Sequence, residues 1–289
     1  MEFVREFPDD ESCLQWLWRT RYAEDGMRAE CPKCERRRPF HRVSARPAWD
    51  CDYCGHHLHP TAGTIFEKSS TSLQLWFYAM FLISQTRCGI SAKQLERELG
   101  VTYKTAWRML NLIRNQLMDD QEGEPLSGDV EVDETYHGGK PRAKALRDRT
   151  GNLDKTKRAV VFGMVERGGR VRATHLPNAG GVTIKRQIGE HILPESMIFT
   201  DEWPTYRGLD KTYIGHRRIR HKDRVYVQGD VHTQTIEGFF GLMKNGIRGT
   251  YHAVSHKWLQ GYLNEYAWRY NRRYDPQSMF HSLALRAAL

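Results

Sequence analysis

The chain has 289 residues and a formal net charge of +9, from 44 Lys and Arg against 35 Asp and Glu, with a pI of about 9.3. That length accommodates two or three domains with cores of their own, and the charge favours a polyanionic partner, although a merely basic soluble protein carries the same balance. No run reaches the roughly 18 apolar residues of a membrane span. The acidic opening MEFVREFPDDESCLQWLW lacks the apolar core of a secretion signal, so a reducing cytoplasm is the expected compartment.

In chain order the first signal is four cysteines. CPKC (Cys31, Cys34) and CDYC (Cys51, Cys54) have 16 residues between them. This spacing matches a four-thiolate ribbon whose two knuckles grip one tetrahedral zinc ion. Two disulfides are the alternative, disfavoured in a reducing compartment. His56, His57 and His59 crowd the second knuckle, but four thiolates already complete the shell. A ribbon this small cannot fold on burial alone, so the zinc is structural. Cys13 and Cys88 are expected as buried apolar side chains. Between the knuckles Arg36, Arg37, Arg38, Arg42 and Arg46 lie among Phe40 and Trp49; on a hairpin they suit either phosphate contact or a solvated charged face.

The pattern then turns helical. LQLWFYAMFLISQT, with Leu73, Phe77, Met80 and Phe81 at helical spacing, predicts a core helix. Next, Ser91 caps a short helix that Gly100 ends, and Thr102 caps a second one. That sequence of elements describes a helix-turn-helix, whose second helix enters the major groove, although many helical hairpins bind nothing. Lys104, Thr105 and Arg108 are the candidates for DNA contact. MDDQEGEPLSG reads as a linker.

Beyond it VEVDETYH, RAVVFGMVERG and RVRATHLP predict three strands, GVTIKRQIGEHIL a crossover helix and SMIFTD a fourth strand. YIGHRRIRH is a fifth, and helices begin near Thr235 and Ser255. This is the element order of an RNase H-like domain. The whole chain reads as an α/β protein with a zinc ribbon over 1–66, a helix-turn-helix domain over 67–122 and an RNase H-like catalytic domain over 123–289.

Three acids in this last region carry the chemistry. Asp133 and Asp201 each close an apolar strand run, and Glu237 lies 36 positions beyond Asp201 in a helix. Such carboxylates can converge and hold two hard cations about 4 Å apart, the apparatus for in-line displacement at a phosphodiester. Magnesium, or manganese, suits an all-carboxylate site. Asp133 or Glu134 supplies the first ligand; Asp133 is favoured because it ends the valine run. Glu134 and Glu202 are expected to point away from the ions. Lys244, seven residues after Glu237, shares its helix face and suits the phosphate beside the scissile bond. Phe239, Phe240 and Leu242 are expected to pack on the sheet, and His232 and Gln234 either position substrate or cap the helix. Two basic stretches flank the acids: 138–158, with Arg142 and Lys144, and 216–224, with Arg217 and Arg218. They grip phosphates or are simply solvated. Trp258, Tyr262, Tyr266 and Tyr270 form a core stripe beside Arg269, Arg272 and Arg273, which are further DNA-contact candidates.

The succession CPKC…CDYCG, helix-turn-helix, VDETYHGGK, FTDEWPTY and VHTQTIEGFFGLMKNGIRGTYH…YLNEYAWRYNRR resembles the prokaryotic insertion-sequence transposases of the DDE superfamily that carry an N-terminal zinc ribbon. The likeness covers nearly the whole chain, and its last block is the most specific part. It implies that Asp133, Asp201 and Glu237 are the catalytic triad, with Lys244 as helix partner. It further implies binding of double-stranded DNA at terminal inverted repeats, metal-assisted cleavage and strand transfer into target DNA, and a homo-oligomeric synaptic complex on the nucleoid. Gln234 stands where some relatives carry asparagine, which leaves its role open. The rival readings are a nuclease of the same fold that cuts without joining, and a DNA-binding regulator that uses only ribbon and helix-turn-helix.

Overall fold

Residues 2–120, 123–138, 158–219, 232–275 and 277–289 are described in a computed structural model of the chain. They fall into two units, Met1–Leu117 with Asp275–Leu289, and Met118–Tyr274. The first unit opens with α1 (Glu2–Glu6) and α2 (Asp10–Arg21), the latter capped by Asp9, which accepts from the Ser12 amide. Strands β1 (Arg28–Cys31), β2 (Arg36–Val43), β3 (Ala48–Cys51) and β4 (His57–Leu58) follow as an antiparallel sheet in that order. Trp18 of α2 lies flat on Trp49 of β3, ring centroids 4.7 Å apart. With Leu14, Ala29 and Phe40 they give this small sheet an apolar anchor. Arg42 is drawn inward: it pairs with Glu11 at 2.9 Å and lies over the Trp49 ring.

Helix α3 (Leu73–Gln85) is capped by Ser72 and buries Trp76, Phe77, Met80 and Ile83. Ser91 caps α4 (Ala92–Leu99), and Gly100 ends it at φ 65°, the left-handed conformation that glycine adopts without steric cost. Thr102 then caps α5 (Tyr103–Leu112). Cys13 is buried as expected, whereas Cys88 is exposed: it lies in the connection after α3, outside the helical stripe that selects buried positions.

In the second unit β5 (Asp129–His137), β6 (Ala159–Glu166) and β7 (Val171–Leu176) are followed by α6 (Gly181–His191), β8 (Met197–Thr200) and β9 (Gly215–Arg218). Helices α7 (Gln234–Gly246) and α8 (Leu259–Asn271) come last. The sheet order is β7-β6-β5-β8-β9. Pairings β5–β6 and β6–β7 are antiparallel, and β5–β8 and β8–β9 parallel. Strand alternation sorts the faces. Val130, Val132, Phe162 and Met164 pack with Ile184 and Ile188 of α6. Val161, Val165 and Ala173 pack with Ile236, Phe239 and Phe240 of α7 and Leu263 of α8.

Several details differ from the sequence reading. The linker segment is docked: Leu126 is fully buried, and its backbone bonds to His191 and Leu193. Leu242 is 52% exposed, because the buried face of α7 runs through Ile236, Phe239, Phe240 and Met243 and leaves position 242 on the far side. Arg269 is buried against Glu265, Arg272 pairs with Asp120, and Arg273 bonds to the Gly169 carbonyl. Arg269 is thereby taken up in the packing of α8, and Arg272 and Arg273 tie the chain just after it to neighbouring segments. Finally, α9 (Met279–Ala288) belongs to the first unit, where Phe280 meets Phe3, Phe7, Phe77 and Phe81.

Candidate active site

The central strand β5 has one face made wholly of polar residues: Glu131, Asp133, Thr135 and His137. Each does a different job. Glu131 is completely buried. It accepts hydrogen bonds from the Thr235 and Ile236 amides at 2.8 and 3.1 Å, from the Thr235 hydroxyl at 2.9 Å and from Arg167 Nε at 2.9 Å. The amides of the first helical turn have no partners within the helix, and here a carboxylate from the sheet satisfies two of them and meets the positive end of the dipole. Arg167 in turn donates to the His232 carbonyl at 2.9 Å and stacks 3.8 Å over the Phe199 ring of β8. His232 Nδ1 stands 3.1 Å from Glu131 without the alignment of a hydrogen bond. One buried ion pair thus ties β5, β8 and the start of α7 together, two residues before Asp133, two before Asp201 and a turn before Glu237.

Asp133 pairs across the sheet with Gly163 of β6. A Cβ at Gly163 would come within 2.6 Å of Ile236 Cδ1 and 2.8 Å of Phe240, so the missing side chain is what lets α7 approach the sheet beside Asp133. Asp201 follows the last residue of β8, and its Oδ1 accepts the Trp203 amide at 2.9 Å. Thr200 donates to the Asp201 carbonyl and touches His216 Nε2, both at 2.8 Å. Glu237 is exposed on the first turn of α7, its Oε1 accepting from the Thr233 hydroxyl at 3.0 Å. Two turns on, Lys244 donates to the Thr135 hydroxyl.

Asp133 is within electrostatic reach of these groups. Burial pushes the Asp133 carboxyl up to about 7, and repulsion from Asp201 and Glu237 adds to it, while the Glu134 amide and Lys244 pull the other way. Glu134 points to the opposite face, where its carboxylate takes the hydroxyl of fully buried Tyr206. Burial and the charges of Asp133 and Asp201 raise it to about 8, against the pull of that hydrogen bond. Tyr206 is accordingly a packing residue. Among the described residues, the only group of His, Cys, Asp or Glu whose ligand atoms all lie within 4.8 Å is the four cysteines, so the three acids stand further apart than that. Ligands on opposite sides of two ions about 4 Å apart, each bound at about 2 Å, can be up to about 8 Å from one another. The all-oxygen donor set and its crowded charge fit hard divalent cations.

The cysteines fit a different metal. Cys31 Sγ lies 3.6 Å from Cys54 Sγ, and Cys34 Sγ 4.0 Å from Cys51 Sγ. Tetrahedral coordination with bonds of about 2.3 Å places sulfurs about 3.8 Å apart. Burial opposes the Cys31 thiolate, but amides of residues 33 and 34 bring it down to about 7.

Of the DNA-contact candidates, Lys104 and Arg108 are exposed on α5 and Thr105 is half-buried by its bond to Thr102. Arg108 also reaches Ser69 and lies over Trp76. Arg217 and Arg218 are exposed on β9; Arg142 and Lys144 lie outside the described residues. Sequence reasoning missed Glu131, Arg167, Thr135 and Gly163. The available signal for Glu131 was a charged residue set between two valines, on the same strand face as Asp133.

Comparison with known proteins gives the class. Residues 125–271, just over half of the chain, match the model of the ISXO2-like transposase domain. The chain belongs to this family of insertion-sequence transposases. It is 29% identical over 256 residues to an uncharacterized protein in transposable element ISH50 of Halobacterium salinarum, a match covering 83% of this chain and 84% of that protein. It is 26% identical over 102 residues to an uncharacterized transposase-like protein of Haemophilus influenzae, over 35% of this chain and 81% of that one.

Proposed function

We propose that the chain is a metal-dependent DNA transposase that cuts at the terminal inverted repeats of its element and joins the freed ends to target DNA. One observation carries the reading: Asp133 lies on the polar face of the central strand opposite Gly163, where α7, which bears Glu237 and Lys244, packs closest to the sheet. The two antiparallel and two parallel pairings, with helices on both faces, support an RNase H-like catalytic domain.

Asp133, Asp201 and Glu237 hold the divalent cations, which when bound supply Lewis-acid activation of the attacking oxygen and neutralise charge on the leaving one. Lys244, steered by Thr135, holds the phosphate next to the scissile bond as a point charge. The Glu131–Arg167 pair keeps the carboxylate-bearing elements in register, the positioning that phosphoryl transfer depends on. Water attacks phosphorus and the P–O bond to the transposon end breaks, leaving a 3′-hydroxyl. That hydroxyl then attacks a target phosphodiester, so the second step breaks one such bond for each it makes and needs no covalent enzyme intermediate. Tyr136 and Tyr206 therefore have no nucleophilic role.

The four cysteines hold a structural zinc, which the sulfur spacing supports. Lys104, Thr105 and Arg108 read the major groove from the first turns of α5. Arg217 and Arg218, with Arg142 and Lys144, grip phosphates. The working form is a homo-oligomer on the nucleoid. The test uses labelled duplexes carrying the element's own ends: Asp133→Asn and Asp201→Asn should abolish cutting and joining while end binding in a gel shift survives. Undiminished cutting by either variant overturns the proposal.

A further inference from the structure

Past Lys244 the polar face of β5 opens into a cleft of about 550 Å³, lined among others by Tyr136, His137, Arg158, Lys244, Arg248 and His252. Among the described residues, no carboxylate lines it. Among the described residues neither Arg158 nor Arg248 has an acidic partner, so their charge is available to an incoming anion. The row Asp133, Thr135, His137 leads straight from the candidate active site into the cleft, and Lys244 belongs to both.

The far wall is built with unusual backbone. Helix α7 widens into a π-helical turn, Ile247–Tyr251, and the chain then bends at His252 with φ 59°. A non-glycine residue holds that conformation only at a cost, and both π turns and such outliers gather where a ligand is bound. The bend is pinned: His137 Nε2 lies 3.1 Å from the Val254 carbonyl, and Ala253 donates to the Tyr251 carbonyl at 2.6 Å. Burial lowers the His137 pKa, which keeps that ring neutral and a strut in the wall. Tyr136, 44% exposed, stands on the Glu134 side of β5 by strand alternation and lines the edge of the cleft beside the Arg158 charge.

We infer that this cleft is a one-nucleotide subsite: Arg158 and Arg248 hold the phosphate of a DNA strand adjoining the scissile bond, and Tyr136 meets its base. Clefts of this size enclose a small molecule, so one nucleotide of a single strand fits where a duplex does not. Cations along a groove with an aromatic face at its edge are the means of gripping a strand without reading its sequence. The inference rests on the proposed active site, since it takes the scissile phosphate to lie at Asp133.

The probe is thymidine 3′,5′-bisphosphate, titrated calorimetrically into the full chain without added divalent cation. Wild type should bind at millimolar concentration. Arg248→Ala should weaken binding about tenfold or more, Tyr136→Ala should weaken it too, and Arg248→Lys should retain most of it. Lys185→Ala, on the exposed face of α6, should bind as wild type. No wild-type binding, or unchanged binding in both Arg248→Ala and Tyr136→Ala, overturns the inference. Asp133→Asn separates the two ideas. If it binds the bisphosphate undiminished but still cuts DNA, the triad fails and the cleft stands; if it no longer cuts and Arg248→Ala binds normally, the cleft fails and the triad stands.

Discussion

Replacing Glu131 with alanine should be among the most damaging single changes in the second unit. The side chain is wholly buried, and its loss strands Arg167 Nε, the Thr235 hydroxyl and the amides of Thr235 and Ile236. Removing one member of a buried ion pair costs about 3–5 kcal/mol, chiefly because the other charge is left without compensation. For a unit of this size that corresponds to a fall in melting temperature of roughly 6–20 °C. Glu131→Gln keeps the shape and one acceptor but turns an amide donor towards other donors, so a smaller loss of about 1.5–3 kcal/mol is expected. Urea titration followed by far-ultraviolet circular dichroism measures both. A double-mutant cycle with Arg167→Met should give a coupling of about 1–3 kcal/mol, because each partner's removal already breaks the same pair. Glu131→Ala within 0.5 kcal/mol of wild type, or zero coupling, would refute the idea that this pair fixes the start of α7.

Gly163→Ala should lose about 1–3 kcal/mol by overpacking against Ile236 and Phe240, and adding Ile236→Val, which removes the closest methyl, should restore part of it in the same urea assay. His216 is held by burial at a pKa of about 4, well below its usual value. Between about pH 6.5 and 4 the unfolded chain therefore binds the extra proton, and stability falls as pH falls through that window; relative to His216→Gln, the wild-type urea midpoint should drop progressively below about pH 6.5, and parallel curves would exclude the assignment. Wild-type protein purified without chelator should carry one zinc per chain by elemental analysis, and Cys34→Ser should lose it; absence of zinc from wild type would remove the ribbon metal.

Elements whose own sequence states both their period and their ends were legible. The strand at 159–166 is a continuous valine-rich apolar run that the turn glycines Gly168 and Gly169 separate from the strand at 171–176, and Ser91, Gly100 and Thr102 punctuate the helical pair as caps. Asp133, Asp201, Glu237 and Lys244 could be proposed from the sequence because carboxylates that close apolar runs and a lysine on the same helix face as an acid are conspicuous, although β5 continues four residues past Asp133. Glu131 was not, since its partners are a turn arginine and amides more than 100 residues away, and nothing in VEVDE announces them. Arg269 and Leu242 failed for a related reason: periodicity says which residues share a face, but only tertiary contacts decide which face is covered. Cys88 was judged by residue type, and a connection between helices overrode the tendency.

Phe280 closes the aromatic cluster that Phe3, Phe7 and Phe77 begin. Domains made by a ribosome ordinarily fold in order of synthesis. Here the earliest residues must wait for the latest: until the segment around 280 has emerged, the unit containing the cysteines lacks part of its interior, while the unit with the acids already has every strand and helix it needs. Translation should therefore complete the unit proposed to cut DNA before the one proposed to find it.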